Sequence, residues 1–233
     1  MRESTNEVSR AAQAIAAMSK RYQFTPKGPL LIEVFPKHDD FAVRNVGLPG
    51  MIGALGACFG RVVTLDSPTA RGPGEFNWGE TLWHELAHVF TLEATDHLVP
   101  RWFSEGVSVF EEWSTGPLKG RHIPLQVFPA IKDDKFLPVA ELDRGFIRPM
   151  YESQVIVSYM QAGLVCEYIA GRFGQQGLAA MLVEFRAGKD TAQAIQGALK
   201  IEQAQFDKDF KAYVERELGT VIAQIEPWRE VIT

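Results

Sequence analysis

Apolar residues recur at spacings of three and four along most of this chain, while runs that suit strands are short and few, so helices dominate the expected fold. Ser4–Arg21 carries Val8, Ala11, Ala12, Ile15 and Met18 along one side and reads as an amphipathic helix. Lys27, Gly28 and Pro29 break it. Leu30–Phe35, ending at Pro36, reads as a strand, and His38–Asn45 as a short helix. Gly47–Gly60 is glycine-rich and is expected to be a flexible connector, since it lacks the Gly-Lys-Ser/Thr ending of a phosphate loop. Arg61–Asp66 (RVVTLD), bounded by Gly60 and Pro68, is a second strand. Ala70–Phe76 follows as a loop, expected at the mouth of a cleft.

The next two periodic segments are the most sharply bounded. Leu82, Leu86, Val89 and Phe90 give one helix a single apolar stripe, and Asn77 with Glu80 forms a capping-box pattern that starts it near Trp78. After a loop at Thr95–Val99, Pro100 suits a first helical position. Arg101–Trp113 then follows with Trp102, Phe103, Val107, Val109 and Phe110, antiparallel to the first helix. Ser114–Pro149 is a long proline-interrupted stretch with short helices near Leu125–Lys132 and Val139–Leu142, a candidate cover for an active site. Met150–Phe173 is a long helix stopped by Gly174, with Val155, Tyr159, Ala162, Val165, Cys166 and Ile169 on one side. Gln175–Ala187, Thr191–Leu199 and Glu202–Leu218 complete a helical lobe.

The expected organisation is an N-terminal helix over 1–28, one main domain over 29–218 and a tail over 219–233. Within the domain, 29–113 is a sheet lobe with two helices, 114–149 a loop-rich connection and 150–218 the helical lobe. Composition narrows the class. At 233 residues and 46% hydrophobic content the chain can bury a sizeable core. A net charge of −5 without a basic run argues against a nucleic-acid surface, and no apolar run approaches the ~18 residues that span a bilayer. Cys58 and Cys166 give no disulfide framework. Residues 1–20 lack the marks of a secretory signal.

Chemistry concentrates in the first of the two sharp helices. His84-Glu85-Leu86-Ala87-His88 puts two histidines one turn apart on one face, about 6 Å from each other, a separation at which two imidazoles share one zinc ion. Glu85 is rotated about 100° from His84, poorly placed as a ligand and well placed to touch a water at the metal. Glu105, on the antiparallel helix, supplies the third ligand. Glu112, on the face of Glu105, or Ser108 is a candidate to orient the metal ligands. His38 has no ligand partner at metal spacing and reads as a surface histidine, and His122, whose geometry nothing fixes, reads as a solvated loop residue rather than a catalytic one.

HELAHVF followed by VPRWFSEGVSVFEE resembles the gluzincin zinc peptidases, and specifically the peptidase MA-like group. FLPVAEL at 136–142 and SYMQAGLVCEYIAGRFG at 158–174 are similar to that group's Leu-Pro segment and its Tyr-x-Gln helix. The resemblance implies an α+β, zincin-like (thermolysin-type) fold with a small mixed-sheet lobe and a helical lobe, one Zn2+ per chain and a peptide or protein substrate. It implies that the strand at Arg61–Asp66 is the sheet edge to which extended substrate adds. It also turns Tyr159, which periodicity alone would place in the core, toward the cleft as an oxyanion donor, with Tyr151 as the fallback. No Gly-x-Met-Glu-Asn segment precedes the metal helix, so an endopeptidase is expected rather than an aminopeptidase. Domains of this type often follow a signal peptide and helical repeats, so the helix over 1–28 ends such an array or packs on the domain, and the cell envelope is the compartment implied. Two other functions fit the same residues: a zincin-fold binding module with little turnover, and a metal-dependent amidase acting on a non-protein substrate. An intact Glu85 favours an enzyme.

Overall fold

A computed structural model of the chain describes residues 2–50, 53–72, 77–225 and 227, with side chains from Val8 onward. Ten helices and three strands are described: α1 Arg2–Tyr22, β1 Leu31–Phe35, α2 His38–Val46, β2 Gly56–Cys58, β3 Val62–Asp66, α3 Trp78–Ala94, α4 Arg101–Ser114, α5 Val127–Lys132, α6 Asp143–Ile147, α7 Gln154–Phe173, α8 Gln175–Arg186, α9 Thr191–Leu199 and α10 Gln203–Ile225. A 3-10 turn at Val139–Glu141 precedes α6. Part of the loop expected at 70–76 and the end of the tail at 219–233 lie outside the described residues, and 219–225 continue α10 as helix.

The sheet departs from expectation at a place that matters for function. Its order is β1-β3-β2, with β1 parallel and β2 antiparallel to β3. The strand expected at the edge, β3, is therefore central. The free edge on that side is β2, inside the stretch read as a connector. The reason is tertiary: Gly-Ala-Cys has no strand propensity of its own and becomes a strand by pairing with the buried Val63-Thr64-Leu65 run. The Asp66 N–H donates to Leu55 O at 2.9 Å and the Phe59 N–H to Val62 O at 2.8 Å. With Ala57 opposite Thr64, the alternation of antiparallel bonds then turns the N–H and C=O groups of Gly56 and Cys58 outward.

One core joins all the layers. Val63 and Leu65 of β3 share one buried cluster with Leu82, Leu86, Val89 and Phe90 of α3, and α4 packs against both α3 and α7. Gly106 sets how closely α4 and α7 approach, because a Cβ there would lie 2.6 Å from the Ala162 carbonyl oxygen. This contact brings Glu105 on α4 and Tyr159 on α7 to the same side of the molecule. The N-terminal helix packs on the domain: Ala11, Ala14, Met18 and Tyr22 enter the same core. The Tyr22 hydroxyl donates to Glu111 Oε1 of α4 at 2.5 Å, and Arg21 Nε lies 3.0 Å from the same oxygen.

Two smaller expectations are corrected. His38 is not a bare surface histidine: its Nδ1 lies 2.8 Å from Asp66 Oδ2, beside Arg71, at the end of β3. The 114–149 stretch does not roof the cleft. α5 packs with Val157 and Tyr151 in a separate small cluster, Phe146 of α6 meets Tyr159 edge-on, and no residue of 114–149 lines the cavities beside His84. No helix among the described residues is long and apolar enough to cross a membrane.

Candidate metal centre

The two helices that carry the candidate ligands are set by local sequence. Asn77 Oδ1 accepts from Gly79 N (3.1 Å) and Glu80 N (3.4 Å) and opens α3 as expected. The reversal into α4 places Asp96 and His97 in the left-handed region, at φ 50° and 64°. Thr95 Oγ1 holds that turn, donating to Thr91 O at 2.7 Å and accepting from Val99 N at 3.2 Å. Pro100 is the extended N-cap of α4 rather than its first helical residue. Having no hydroxyl or carboxylate, it cannot cap, and Asp143 Oδ1 from α6 accepts from Trp102 N at 2.6 Å instead.

His84 and His88 project side by side from α3, their ring centroids 4.8 Å apart. Glu105 Oε2 reaches from α4 to within 3.3 Å of His84 Nε2 and 3.2 Å of His88 Nε2. One ligand atom from each of the three residues lies within 4.8 Å of the others. The outer nitrogens are held as well. His84 Nδ1 is hydrogen-bonded to Glu112 Oε1, and His88 Nδ1 lies 2.7 Å from Ser104 Oγ, which in turn lies 2.7 Å from Thr91 Oγ1. Both rings are thus locked with Nε2 turned to one point, the arrangement that ties a metal-ligating imidazole to an outer partner. Two imidazoles and one carboxylate with room beside them are a donor set that suits a tetrahedral ion such as Zn2+ with one position open. Of the two residues expected to orient the ligands, Glu112 does so and Ser108 does not: its hydroxyl is buried without a partner.

Electrostatics follow from this packing. Burial pushes the Glu105 carboxyl up, but its bonds to His84 and His88 outweigh that and hold it well below the ordinary carboxylate range. For His84, burial favours the neutral ring, and the bonds to Glu105 and Glu112 reverse the sign and hold it well above. Glu85 differs. It is 6% exposed and outside the ligand set, and burial raises its pKa, against the pull of His88 and His84. Its close cover is Gly56 of β2, where a Cβ would lie 2.7 Å from Glu85 Cγ; only glycine leaves this carboxylate its place.

The cleft holds two adjoining cavities that share Ala54, Gly56, His84, Glu85 and Tyr159. One, of about 490 Å3, extends past His88 to Leu92 and Val99. The other, of about 500 Å3, extends past Asn77 and Glu80 to Glu112. Tyr159 is half-buried in the wall, its ring 6.4 Å from His84 and edge-on to Phe146 at 5.1 Å. Burial, with Glu105 nearby, pushes its hydroxyl up to about 12. His84, Glu85, His88, Glu105 and Tyr159 therefore all meet at one cleft. Tyr151 does not: it packs on Val127, Ala130 and Val157, and its hydroxyl is buried without a partner, so the fallback oxyanion role finds no support. Gln161 is structural, its amide bracketing Leu137 N (3.1 Å) and O (2.6 Å). His122 stays on an exposed loop, 3.9 Å from Glu80. Two participants carry no sequence signal of their own: Ser104, findable only as a neighbour of Glu105, and Gly56, findable only through a strand that pairing creates.

A model of the family described as Peptidase MA superfamily matches residues 11–216, from α1 into α10. Comparison with curated proteins gave no match, and neither did comparison with solved structures. The family match takes in the sheet, both metal-site helices and the helical lobe. A small three-stranded sheet joined to a helix-rich body, with His84, Glu85, His88 and Glu105 gathered at one cleft, agrees with it. The chain belongs to the peptidase MA superfamily.

Proposed function

We propose that this protein is a zinc-dependent endopeptidase with a thermolysin-type catalytic arrangement. The observation that carries the reading is the convergence of His84 Nε2, His88 Nε2 and Glu105 Oε2, with Glu85 buried beside them and not among them. When bound, zinc supplies a Lewis acid that lowers the pKa of a water and polarises a carbonyl. Glu85 takes the proton of the attacking water and returns it to the departing amine, and burial shifts its pKa in the direction such a base needs. Tyr159 donates its hydroxyl to the carbonyl oxygen as charge grows there. Glu112 and Ser104 keep the two imidazoles from turning.

Cleavage inside a chain is favoured by the cleft, which runs past Glu85 on both sides. The outward N–H and C=O groups of Gly56 and Cys58 suit an extended peptide added as a further strand. A proline at Thr64, in the middle strand, would therefore break the sheet rather than report on substrate. Cys58→Pro is the informative change, because it removes a donor that no neighbouring strand uses. It is expected to raise KM by about two- to tenfold, the worth of one hydrogen bond, while Cys58→Ala leaves KM unchanged. Equal KM values in the two folded variants would remove β2 from substrate binding.

Tyr159→Phe keeps the ring and its packing and removes one donor. The expected result is a kcat lower by about 10²–10³-fold with KM nearly constant and a stability change of about 1 kcal/mol at most. A kcat within a few-fold of the parent would make Tyr159 a packing residue. The function itself is tested by incubating the purified protein with denatured protein substrates, with and without a chelator, and reading the products by mass spectrometry. New internal cleavage sites that vanish with chelator support an endopeptidase. Products trimmed only from chain ends, or cleavage that ignores the chelator, contradict it.

A further inference from the structure

The cavity of about 500 Å3 on the Asn77 side of Glu85 carries a chemistry that bond cleavage itself does not use. Glu80, Glu85 and Glu112 all line it, and among its described lining residues there is no lysine or arginine. Glu112 is committed to the hydrogen bond with His84 Nδ1, and Glu85 stands at the reacting centre. Glu80 is the carboxylate left over. Its place three residues after the N-cap would let it close a capping box on Asn77 N, yet the structure shows only the half in which Asn77 accepts. Instead Glu80 Oε1 is buried without a hydrogen-bond partner, and His122 Nε2, on its exposed loop, is 3.9 Å away, beyond hydrogen-bond reach. Burial, and after it the charge of Glu112, raise the Glu80 carboxyl above its ordinary value, with His122 pulling the other way. A carboxylate oxygen so placed lacks a donor.

The adjoining cavity is different, ending past His88 on the apolar side chains of Leu92 and Val99. The two ends of the cleft are therefore unlike, one acidic and one apolar. Gly56 of β2 lines both cavities, so a peptide extended along the outward edge of β2 passes both. Its side chains alternate in direction, and one of them is directed down into the acidic cavity. Lysine and arginine fit what waits there: Ala54 and Leu55 offer apolar contact to a long stem, and Glu80 offers an acceptor to a cationic tip. We propose that this cavity is a substrate subsite selective for a lysine or arginine side chain on one side of the cleaved bond, with Glu80 as the residue that sets the selectivity. An acidic side chain would bring like charge to it, and a leucine would leave Glu80 without its donor.

This inference rests on the peptidase reading for the place of the subsite beside a cleaved bond, while capture of a basic side chain at Glu80 needs no turnover. The test uses peptides identical except at one position, scanned on both sides of the bond, that carry arginine, its neutral isostere citrulline, leucine or glutamate. The parent, Glu80→Gln and Glu80→Lys are compared by kcat/KM, with zinc content and melting temperature on the same preparations. At one position the parent is expected to prefer arginine over citrulline and leucine by about 10–100-fold, the worth of a hydrogen bond to a charged group. Glu80→Gln should retain zinc and bring the arginine-to-citrulline ratio to within about threefold, and Glu80→Lys should favour glutamate over arginine at the same position. Equal cleavage of the four peptides by the parent at every position, or an arginine preference that survives in Glu80→Gln, would overturn the proposal. If neither variant folds, the parent decides alone, and an arginine-to-citrulline ratio below about threefold at every position overturns it. A parent that binds zinc but cleaves no peptide defeats the peptidase reading. The dissociation constants of the same peptides then decide the subsite: tighter arginine than citrulline in the parent but not in Glu80→Gln supports it, and equal values overturn it.

Discussion

Glu85→Gln is expected to give a folded, zinc-binding protein whose peptide cleavage has fallen by about 10²–10⁴-fold, the range that general-base catalysis contributes. Glutamine has the shape of glutamate, so the space under Gly56 remains filled without strain. Glu85 is not among the atoms that gather around the candidate metal position, so metal affinity should be nearly unchanged. The residue is 6% exposed, and burial disfavours its charged form, so a neutral amide there should not lower the melting temperature. What the amide cannot do is accept a proton from water. The measurements are kcat/KM on a peptide, zinc content and melting temperature on the same preparation. Undiminished cleavage in Glu85→Gln would eliminate Glu85 as the base, and absence of cleavage in both proteins despite bound zinc would favour the binding-module alternative.

The second large effect belongs to the ligands. Loss of an outer partner of a metal-ligating histidine typically costs 10–100-fold in affinity, so loss of a ligand itself should exceed about 100-fold. His88→Ala and Glu105→Ala are therefore each expected to retain no zinc after dialysis against a weak chelator. Ser104→Ala, which frees only His88 Nδ1, should retain zinc with an affinity lower by about tenfold. This ordering is specific to the geometry, since Ser104 and Glu105 are adjacent in sequence and both buried but touch opposite sides of the same imidazole system. Elemental analysis after dialysis reads the first pair and chelator competition reads the third. Stoichiometric zinc retained by Glu105→Ala would remove Glu105 from the ligand set.

Much of the centre was legible because its residues sit on two helices whose periodicity and termini are local properties. The stripe Leu82, Leu86, Val89 and Phe90 is buried as expected, and with it the direction of His84 and His88 is settled. The resemblance to a known family added Tyr159, which periodicity alone would have left in the core, and the structure places it at the cleft. What escaped depends on contacts between distant segments. β2 is a strand only because β3 pairs with it, so the sheet edge was assigned to the wrong strand. Asp143 caps α4 across a long sequence separation, and α6 itself lies in a stretch read as mostly irregular. Glu111 carries no signal in the sequence, yet it is fully buried with Tyr22, Arg21 and Thr115 as partners, joining α1 to the helix that carries Glu105.

The most direct measurement is a zinc titration of metal-free protein, followed in one cuvette by bound metal and by cleavage of a fluorogenic peptide. The account predicts no cleavage before zinc is added, then activity that rises in proportion to bound metal and levels off at one ion per chain. It also predicts that Glu85→Gln binds zinc with the same curve and stays inactive throughout. Cleavage by the metal-free protein, or activity that does not follow the occupancy of a single site, would contradict it.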